Sequence, residues 1–95
     1  MILEHALLPV KPGQETAFEA AFATARGIIS STPGFIDLEL SRGIDSPNTY
    51  LLLVRWENVE AHEVGFRESP QYEQWRGLLH HFYDPFPVVE HFARV

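Results

Sequence analysis

The chain has no cysteine, few basic residues and no long apolar run, and each lack excludes a class of protein. Without cysteine there is no disulfide, no thiolate metal site and no cysteine nucleophile. Seven Lys and Arg residues against thirteen Asp and Glu residues give a net charge of −6, which argues against a nucleic-acid-binding surface. No segment approaches the roughly 20 apolar residues of a membrane span, and Glu4 and His5 interrupt the only early apolar stretch. We therefore expect a soluble cytoplasmic protein whose partners include neither membrane nor nucleic acid.

What is present is typical of one folded domain over residues 1–95. A hydrophobic content of 45% with 13% aromatic residues is enough for a core and excludes a disordered chain. Alternating and helical spacings, separated by Pro- and Gly-rich turns, predict the order β-α-β-β-α-β. This order indicates an α+β ferredoxin-like sandwich, a four-stranded antiparallel sheet with helices on one face. The predicted strands cover residues 2–10, 35–42, 50–56 and 88–95, and the predicted helices cover 14–31, 59–68 and a segment starting at 70.

The third predicted strand is apolar on both of its faces. Alternate residues of a strand point to opposite sides, so Tyr50, Leu52, Val54 and Trp56 share one face and Leu51 and Leu53 share the other. The first strand repeats this pattern, with Ala6 and Leu8 against Leu3 and Leu7. Helices can cover only one face of such a sheet. We therefore expect a homodimer that packs bare face to bare face and has a barrel-like interior.

His62 is the first candidate for chemistry. Val59, His62 and Phe66 fall on the inward stripe of the helix predicted over 59–68, so the imidazole should point at the core or at a pocket. Its unperturbed pKa near 6.5 suits proton transfer at neutral pH. The alternative is a core histidine that is satisfied by one backbone carbonyl. Between the sheet and the helices we predict a pocket lined by Tyr50, Leu52, Trp56, His62, Phe66 and Trp75.

The other polar residues give weaker indications. Arg76 follows Trp75 and is either a surface arginine or a cation at the pocket rim that steers an anionic oxygen. His80 and His81 do not form a metal pair, because adjacent helical residues point about 100° apart. His5 and His91 are predicted to form a cross-strand pair on the dimer side. No metal-ligand spacing and no nucleotide or flavin motif is present, so we expect no metal and no cofactor.

Several short motifs occur in a fixed order along nearly the whole chain. They are Val10-x-Pro12-Gly13, Pro33-Gly34-Phe35, the segment 50–57, Ala61-His62 and Phe66-x-x-Ser69-x-x-Tyr72. In this order the chain resembles the antibiotic biosynthesis monooxygenase (ABM) superfamily. The resemblance implies a dimeric α+β barrel, and an activity that oxidises phenolic compounds with O₂ without metal or flavin. It also implies that the protein supplies a dry pocket, orientation and proton handling.

Individual positions carry the resemblance to different degrees. Trp56 matches the family's tryptophan at the end of the third strand, His62 falls where some members have tyrosine, and Arg76 falls near a pocket arginine. Leu52 departs from the pattern, because those oxygenases tend to carry asparagine four residues before the tryptophan. The haem-degrading branch is a poorer match. Ala6 and Arg76 stand where that branch has an asparagine and an axial histidine, and arginine cannot ligate iron.

The sequence is compatible with two functions. The first is a cofactor-independent monooxygenase acting on a small aromatic or quinol-like compound, with His62 handling the proton and Arg76 steering an anionic oxygen. The second is a non-catalytic dimeric module that binds a small hydrophobic ligand, or a small-metabolite isomerase on the same fold.

Overall fold

The computed structural model describes all residues, Met1–Val95, and has the predicted order of elements. The strands are β1 (Ile2–Pro9), β2 (Phe35–Arg42), β3 (Thr49–Trp56) and β4 (Val89–Ala93); the helices are α1 (Glu15–Ser30) and α2 (Pro70–Leu79), with a π-helix at Ala61–Phe66 and a 3₁₀ turn at His80–Phe82. All strand pairs are antiparallel and the sheet order is β2-β3-β1-β4. The predicted ferredoxin-like α+β fold is therefore confirmed. Neither α-helix has the length and apolarity needed to cross a membrane.

The helix side of the sheet carries the hydrophobic core. The inward rows of β1 and β3 are almost fully buried, and α1 buries the stripe predicted from its spacing. The π-helix and α2 close the remaining space with large aromatic side chains. The buried members of these rows and stripes are Ala6, Leu8, Tyr50, Leu52, Val54, Trp56, Phe18, Phe22, Ala25, Ile29, Phe66, Trp75, Leu79 and Phe82.

The opposite side of the sheet, here called the open face, is not covered by any helix of the chain. The residues that the alternation in β1 and β3 predicted on this side of the sheet do lie there. Among the apolar side chains of this side, Leu7 and Phe92 are each about half exposed. The open face is formed by Leu3, His5, Leu7, Leu51, Leu53 and Phe92, with Asp37, Glu39 and Ser41 on the edge strand. The centre of this face is an exposed apolar patch, a feature that marks interaction sites in many proteins.

The starts of the π-helix and of α2 each have a side-chain cap. The Ala61 backbone N–H donates to Asn58 Oδ1 at 2.8 Å, and the Tyr72 N–H donates to Ser69 Oγ at 3.2 Å. Pro70 is the first residue of α2, a position where its missing N–H costs nothing. Both helix starts are therefore fixed by side chains that satisfy free backbone donors.

Three expectations about side-chain placement are wrong. The alternation of the second strand predicts Ile36 on one row with Leu38 and Leu40, but Ile36 is exposed because a β-bulge between Phe35 and Asp37 turns it out of that row. The segment predicted as an α-helix over 59–68 is π-helical at Ala61–Phe66, and Val59 remains partly exposed. His5 and His91 do not pair, because the register places Glu4 opposite His91 and His5 opposite Glu90. His91 therefore lies on the helix side of the sheet and not on the open face.

Candidate functional site

A buried carboxyl group organises the helix side of the sheet. Glu4 lies on the inward row of β1 and is 5% exposed. The register of the sheet puts Val54 on one side of it and His91 on the other. Its Oε1 accepts a hydrogen bond of 2.9 Å from Trp56 Nε1 and lies 3.3 Å from His62 Nε2. An acid in this position is expensive unless it is partnered or protonated.

His62 links this carboxyl group to the last strand. The π-helix presents the imidazole parallel to the Trp56 indole, with ring centroids 5.3 Å apart. His62 Nε2 faces Glu4, and its Nδ1 lies 2.8 Å from His91 Nε2. His91 Nε2 in turn lies 3.6 Å from Glu63 Oε1 at the surface. Glu4, His62 and His91 thus form a continuous polar chain, here called the Glu4–His91 chain, through an otherwise apolar region.

Burial drives the protonation of the two inner groups toward their neutral forms. It raises the pKa of Glu4 from 4.5 to about 7, against the opposing effects of the Trp56 hydrogen bond and the Arg67 charge. It lowers the pKa of His62 from 6.5 to about 3, and the charges of Arg67 and His91 add to this effect. At neutral pH His62 is therefore a neutral imidazole, able to donate at one nitrogen and accept at the other. Glu4 is close to half protonated, which is the condition for an acid–base group that works at pH 7.

A small cavity of about 70 Å³ adjoins the inner end of this chain. One part of its wall is formed by Glu4 and His62. Further polar groups of the wall come from His80, Tyr72 and Tyr83. Burial lowers the pKa of His80 and raises the pKa of the Tyr83 phenol, so both stay neutral near pH 7. The rest of the lining is mainly apolar and comes from Ala6, Leu8, Ile29, Leu52, Phe66, Trp75, Phe86, Pro87 and Val89, with Arg67.

The sequence placed some of the lining residues correctly. Leu52, His62, Phe66 and Trp75 all border the cavity. Trp56 does not border it: the indole is fully buried behind His62, which it stacks against, and acts on the site through its hydrogen bond to Glu4. The roles of these residues in binding a substrate stay predictions.

Two predicted site residues lie away from the cavity. Tyr50 is buried at the far end of β3, where its hydroxyl donates to Glu19 Oε2 at 2.6 Å. Arg76 projects from the outer side of α2 and forms an exposed ion pair with Glu73 at 2.6 Å. Neither residue borders the cavity, so the expectation that Tyr50 lines it and that Arg76 stands at its rim is wrong.

Sequence reasoning missed two members of the Glu4–His91 chain and two lining phenols, Tyr72 and Tyr83. Glu4 carried a usable signal, because it falls on the same alternating row as Ala6 and Leu8. A charged residue on an inward row is uncommon without a partner. His91 carried no such signal, since its face depends on the pairing register. Tyr83 directly follows the 3₁₀ turn, and its backbone forms an isolated β-bridge with Val10. The side chain of Tyr83 lines the cavity.

The same region contains the chain's one group of three metal-ligating side chains. The ligand atoms of His62, Glu63 and His91 lie within 4.8 Å of one another. Two nitrogens on a tetrahedral ion with bonds of 2.0–2.1 Å would be about 3.3 Å apart. The separation of 2.8 Å between the His62 and His91 nitrogens is instead that of a hydrogen bond. In this geometry the two rings share a proton.

Comparison with known proteins places this site on a recognised scaffold. The uncharacterised Bacillus subtilis protein YczJ is 50% identical over the full length of both chains. A solved structure from Bordetella bronchiseptica, described as a candidate antibiotic biosynthesis monooxygenase, is 38% identical, with a TM-score of 0.94, and the match covers 99% of this chain and 96% of that chain. SnoaB from Streptomyces nogalater, a cofactor-independent oxygenase, shares the fold with a TM-score of 0.84 at 20% identity, covering 98% of this chain and 91% of its own.

The family assignment follows from the sequence as well as from the fold. The profile of the antibiotic biosynthesis monooxygenase family matches residues 1–78, which include β1, β3 and the π-helix and therefore Glu4, Trp56 and His62. The chain belongs to the antibiotic biosynthesis monooxygenase (ABM) family.

Proposed function

We propose that the protein is a cofactor-independent monooxygenase that oxidises a small aromatic or quinol-type compound with O₂ in the cavity beside Glu4 and His62. The observation that carries the proposal is the buried acid–base pair at the wall of a small, mainly apolar cavity. Membership of the ABM family supports the reaction type, and the likeness to SnoaB supports a scaffold compatible with it.

The first role of the pair is to ionise the substrate. Glu4 in its carboxylate form, assisted by neutral His62, accepts the proton of a phenolic or activated C–H group. The resulting anion is electron-rich enough to pass one electron to O₂, and recombination of the two radicals forms a carbon–oxygen bond. Loss of water then leaves a carbonyl. The substrate loses two hydrogens and gains one oxygen atom, a four-electron oxidation that balances the reduction of O₂ to one carbonyl oxygen and one water.

The size of the cavity restricts the substrate. A volume of about 70 Å³ corresponds to roughly five to seven water positions, since one water occupies on the order of 10–15 Å³ by this measure. This favours single-ring phenols and quinols over polycyclic compounds. The phenols of Tyr72 and Tyr83 supply hydrogen-bond donors for a second substrate oxygen.

The proposal is tested by oxygen uptake with chelator-treated protein and a panel of phenols, naphthols, anthrones and quinols. We expect uptake by the wild type and a loss on the order of a hundredfold or more in His62→Ala, because a positioned acid–base group contributes about that much. His81→Ala, which removes an exposed histidine outside the cavity, is the matched control and should retain full activity. Equal rates in the wild type and His62→Ala would remove His62 from the reaction, and no uptake with any compound would contradict the oxygenase.

A second candidate function uses the same two residues without an oxidant. Glu4 and His62 can transfer a proton between two carbons of a small carbonyl compound, which requires only a group whose pKa lies near neutrality. An isomerase would exchange substrate hydrogens with deuterated water and consume no O₂. Measuring exchange and oxygen uptake on the same panel separates the two reactions.

We also propose that two copies associate through the open face. The apolar centre formed by Leu7, Leu51, Leu53 and Phe92 supports a self-complementary interface. Leu51→Arg would place a charge at that centre and is expected to give monomers, whereas Val64→Arg, on an exposed position of the π-helix, should leave dimers intact. Size exclusion with light scattering at micromolar concentration measures both, and a monomeric wild type would contradict the dimer.

A further inference from the structure

The geometry points to His91 as a proton relay that connects the buried Glu4–His62 pair with solvent. The inference rests on the proposed function, in which Glu4 must begin each turnover as the carboxylate and its exchange of protons with solvent restores that form. It adds a positioning residue on β4, outside the cavity lining, that acts on the reaction through His62.

Glu4 and His62 have little contact with solvent apart from the cavity that they border. Their side chains are only 6% and 4% exposed, and the surroundings that favour their neutral forms are mainly apolar. The His91 side chain is 21% exposed. Its Nε2 contacts His62 inside the protein while the ring reaches the edge of β4 beside Glu63. His91 is therefore the group of the Glu4–His91 chain that touches both environments.

An imidazole can pass a proton without becoming charged, because it accepts at one nitrogen while it donates from the other. In the outward step, the Glu4 carboxyl gives its proton to His62 Nε2 as His62 Nδ1 gives its proton to His91 Nε2. His91 then releases a proton from Nδ1 to water, and the reverse sequence reloads Glu4. The number of protons on each ring is the same before and after the transfer. No charged His62 has to form, which fits the strong burial of this ring.

The charged groups around the chain set the direction of transfer. From the π-helix, Glu63 lies 3.6 Å from His91 Nε2 and pairs with Arg67 at 3.1 Å. The Arg67 charge disfavours a proton on His62 and favours the ionised form of Glu4. From β1, Glu4 is the acidic end of the chain. Glu63 therefore places a carboxylate beside His91, at the end of the chain from which an exported proton leaves.

Nuclear magnetic resonance tests the relay without a substrate. In protein labelled with ¹⁵N-histidine we expect a scalar coupling across the hydrogen bond between His62 Nδ1 and His91 Nε2. In protein labelled with ¹³C-glutamate, relaxation dispersion of the Glu4 carboxyl carbon near pH 7 reports how fast this group gains and loses its proton. His91→Phe keeps a ring but has no nitrogen, and we expect it to slow that exchange on the order of tenfold or more.

Two further variants keep the test decisive. His91→Gln, which preserves a polar side chain of similar length, serves if the phenylalanine variant does not fold, and the same slowing is expected. His81→Phe is the matched control and should leave the exchange rate of Glu4 unchanged. Free imidazole should restore fast exchange in the His91 variants and have no effect on the wild type. An exchange rate that is unchanged in a folded His91 variant would overturn the relay.

Turnover measurements separate the relay from the proposed function. If oxygen uptake is found, His91→Phe should lower kcat with little change in KM, and imidazole should rescue it. If no compound gives uptake but exchange at Glu4 still depends on His91, the oxygenase fails and the relay stands. If Zn²⁺ shifts the resonances of both rings and the scalar coupling is absent from chelator-treated protein, the cluster is a cation site and the relay is overturned.

Discussion

Replacing Glu4 by glutamine is expected to stabilise the protein at pH 8 and to change its stability much less at pH 4. Burial raises the pKa of Glu4 from 4.5 to about 7, so the wild type must bury a charged carboxylate when the pH is above that value. Glutamine has nearly the same shape and its carbonyl oxygen can still accept the hydrogen bond from Trp56 Nε1. The difference between the two pKa values corresponds to about 3 kcal/mol in the free energy of unfolding.

The direction follows from proton binding in the two states. Between pH 4.5 and about 7 the folded protein holds a proton on Glu4 that the unfolded chain has lost, so the wild type loses stability as the pH rises. His62 acts in the opposite direction, since its pKa is lowered to about 3. The unfolded chain binds a proton at this residue below pH 6.5, and stability therefore rises between pH 3 and 6.5. The two effects oppose each other in the wild type, and Glu4→Gln leaves the histidine effect alone.

Urea unfolding at pH 4, 6 and 8 measures this difference. We expect the free energy of unfolding of Glu4→Gln to rise relative to the wild type with increasing pH, by about 2–3 kcal/mol between the extremes. Glu68→Gln removes an exposed carboxylate and is the matched control, for which the difference should stay constant. A difference between Glu4→Gln and the wild type that did not vary with pH would mean that folding leaves the pKa of Glu4 at its ordinary value of 4.5.

The fold could be predicted from the sequence because local patterns decide it. The apolar alternation of β1 and β3, the stripe Phe18–Phe22–Ala25–Ile29 and the Ser69-Pro70 start of α2 each specify an element and its buried side. Antiparallel pairing and the need to cover one face then leave few arrangements. These choices do not depend on fine registration between distant segments.

The site does depend on the pairing register of strands that are distant in sequence, and this register cannot be predicted from the local sequence pattern. A shift of one residue between β1 and β4 would move His91 from the helix side to the open face, which is where it was expected. Tyr50 was assigned to the pocket because it shares a face with Trp56. Tyr50 and Trp56 are six residues apart, however, which is roughly 20 Å along the strand. The two ends of this face therefore contact different parts of the protein. Arg76 was misplaced for a related reason: a neighbour of a buried helical residue points about 100° away from it.

The second large effect is expected from Trp56→Phe, which removes the one hydrogen-bond donor that holds the buried Glu4 carboxyl in place. The phenylalanine ring leaves a small void behind His62 and deprives Glu4 Oε1 of its 2.9 Å bond. Loss of a partner for a buried polar group costs about 1–3 kcal/mol, and the void adds to it. We therefore expect the free energy of unfolding to fall by about 2–4 kcal/mol, with the larger loss at pH 8, where Glu4 is charged.

The pKa of Glu4 should change in the same variant. The Trp56 hydrogen bond lowers this pKa against the effect of burial, so its loss is expected to raise the pKa above about 7 and to move the acidic limb of any activity profile to higher pH. Trp75→Phe is the matched control, because Trp75 is also a core indole but packs on Phe22 and Phe66 and forms no hydrogen bond with the carboxyl group. It should cost packing energy alone and leave the pKa of Glu4 where it is. A ¹³C titration of Glu4 in both variants decides the matter, since equal titration midpoints would show that the indole N–H does not tune the buried acid.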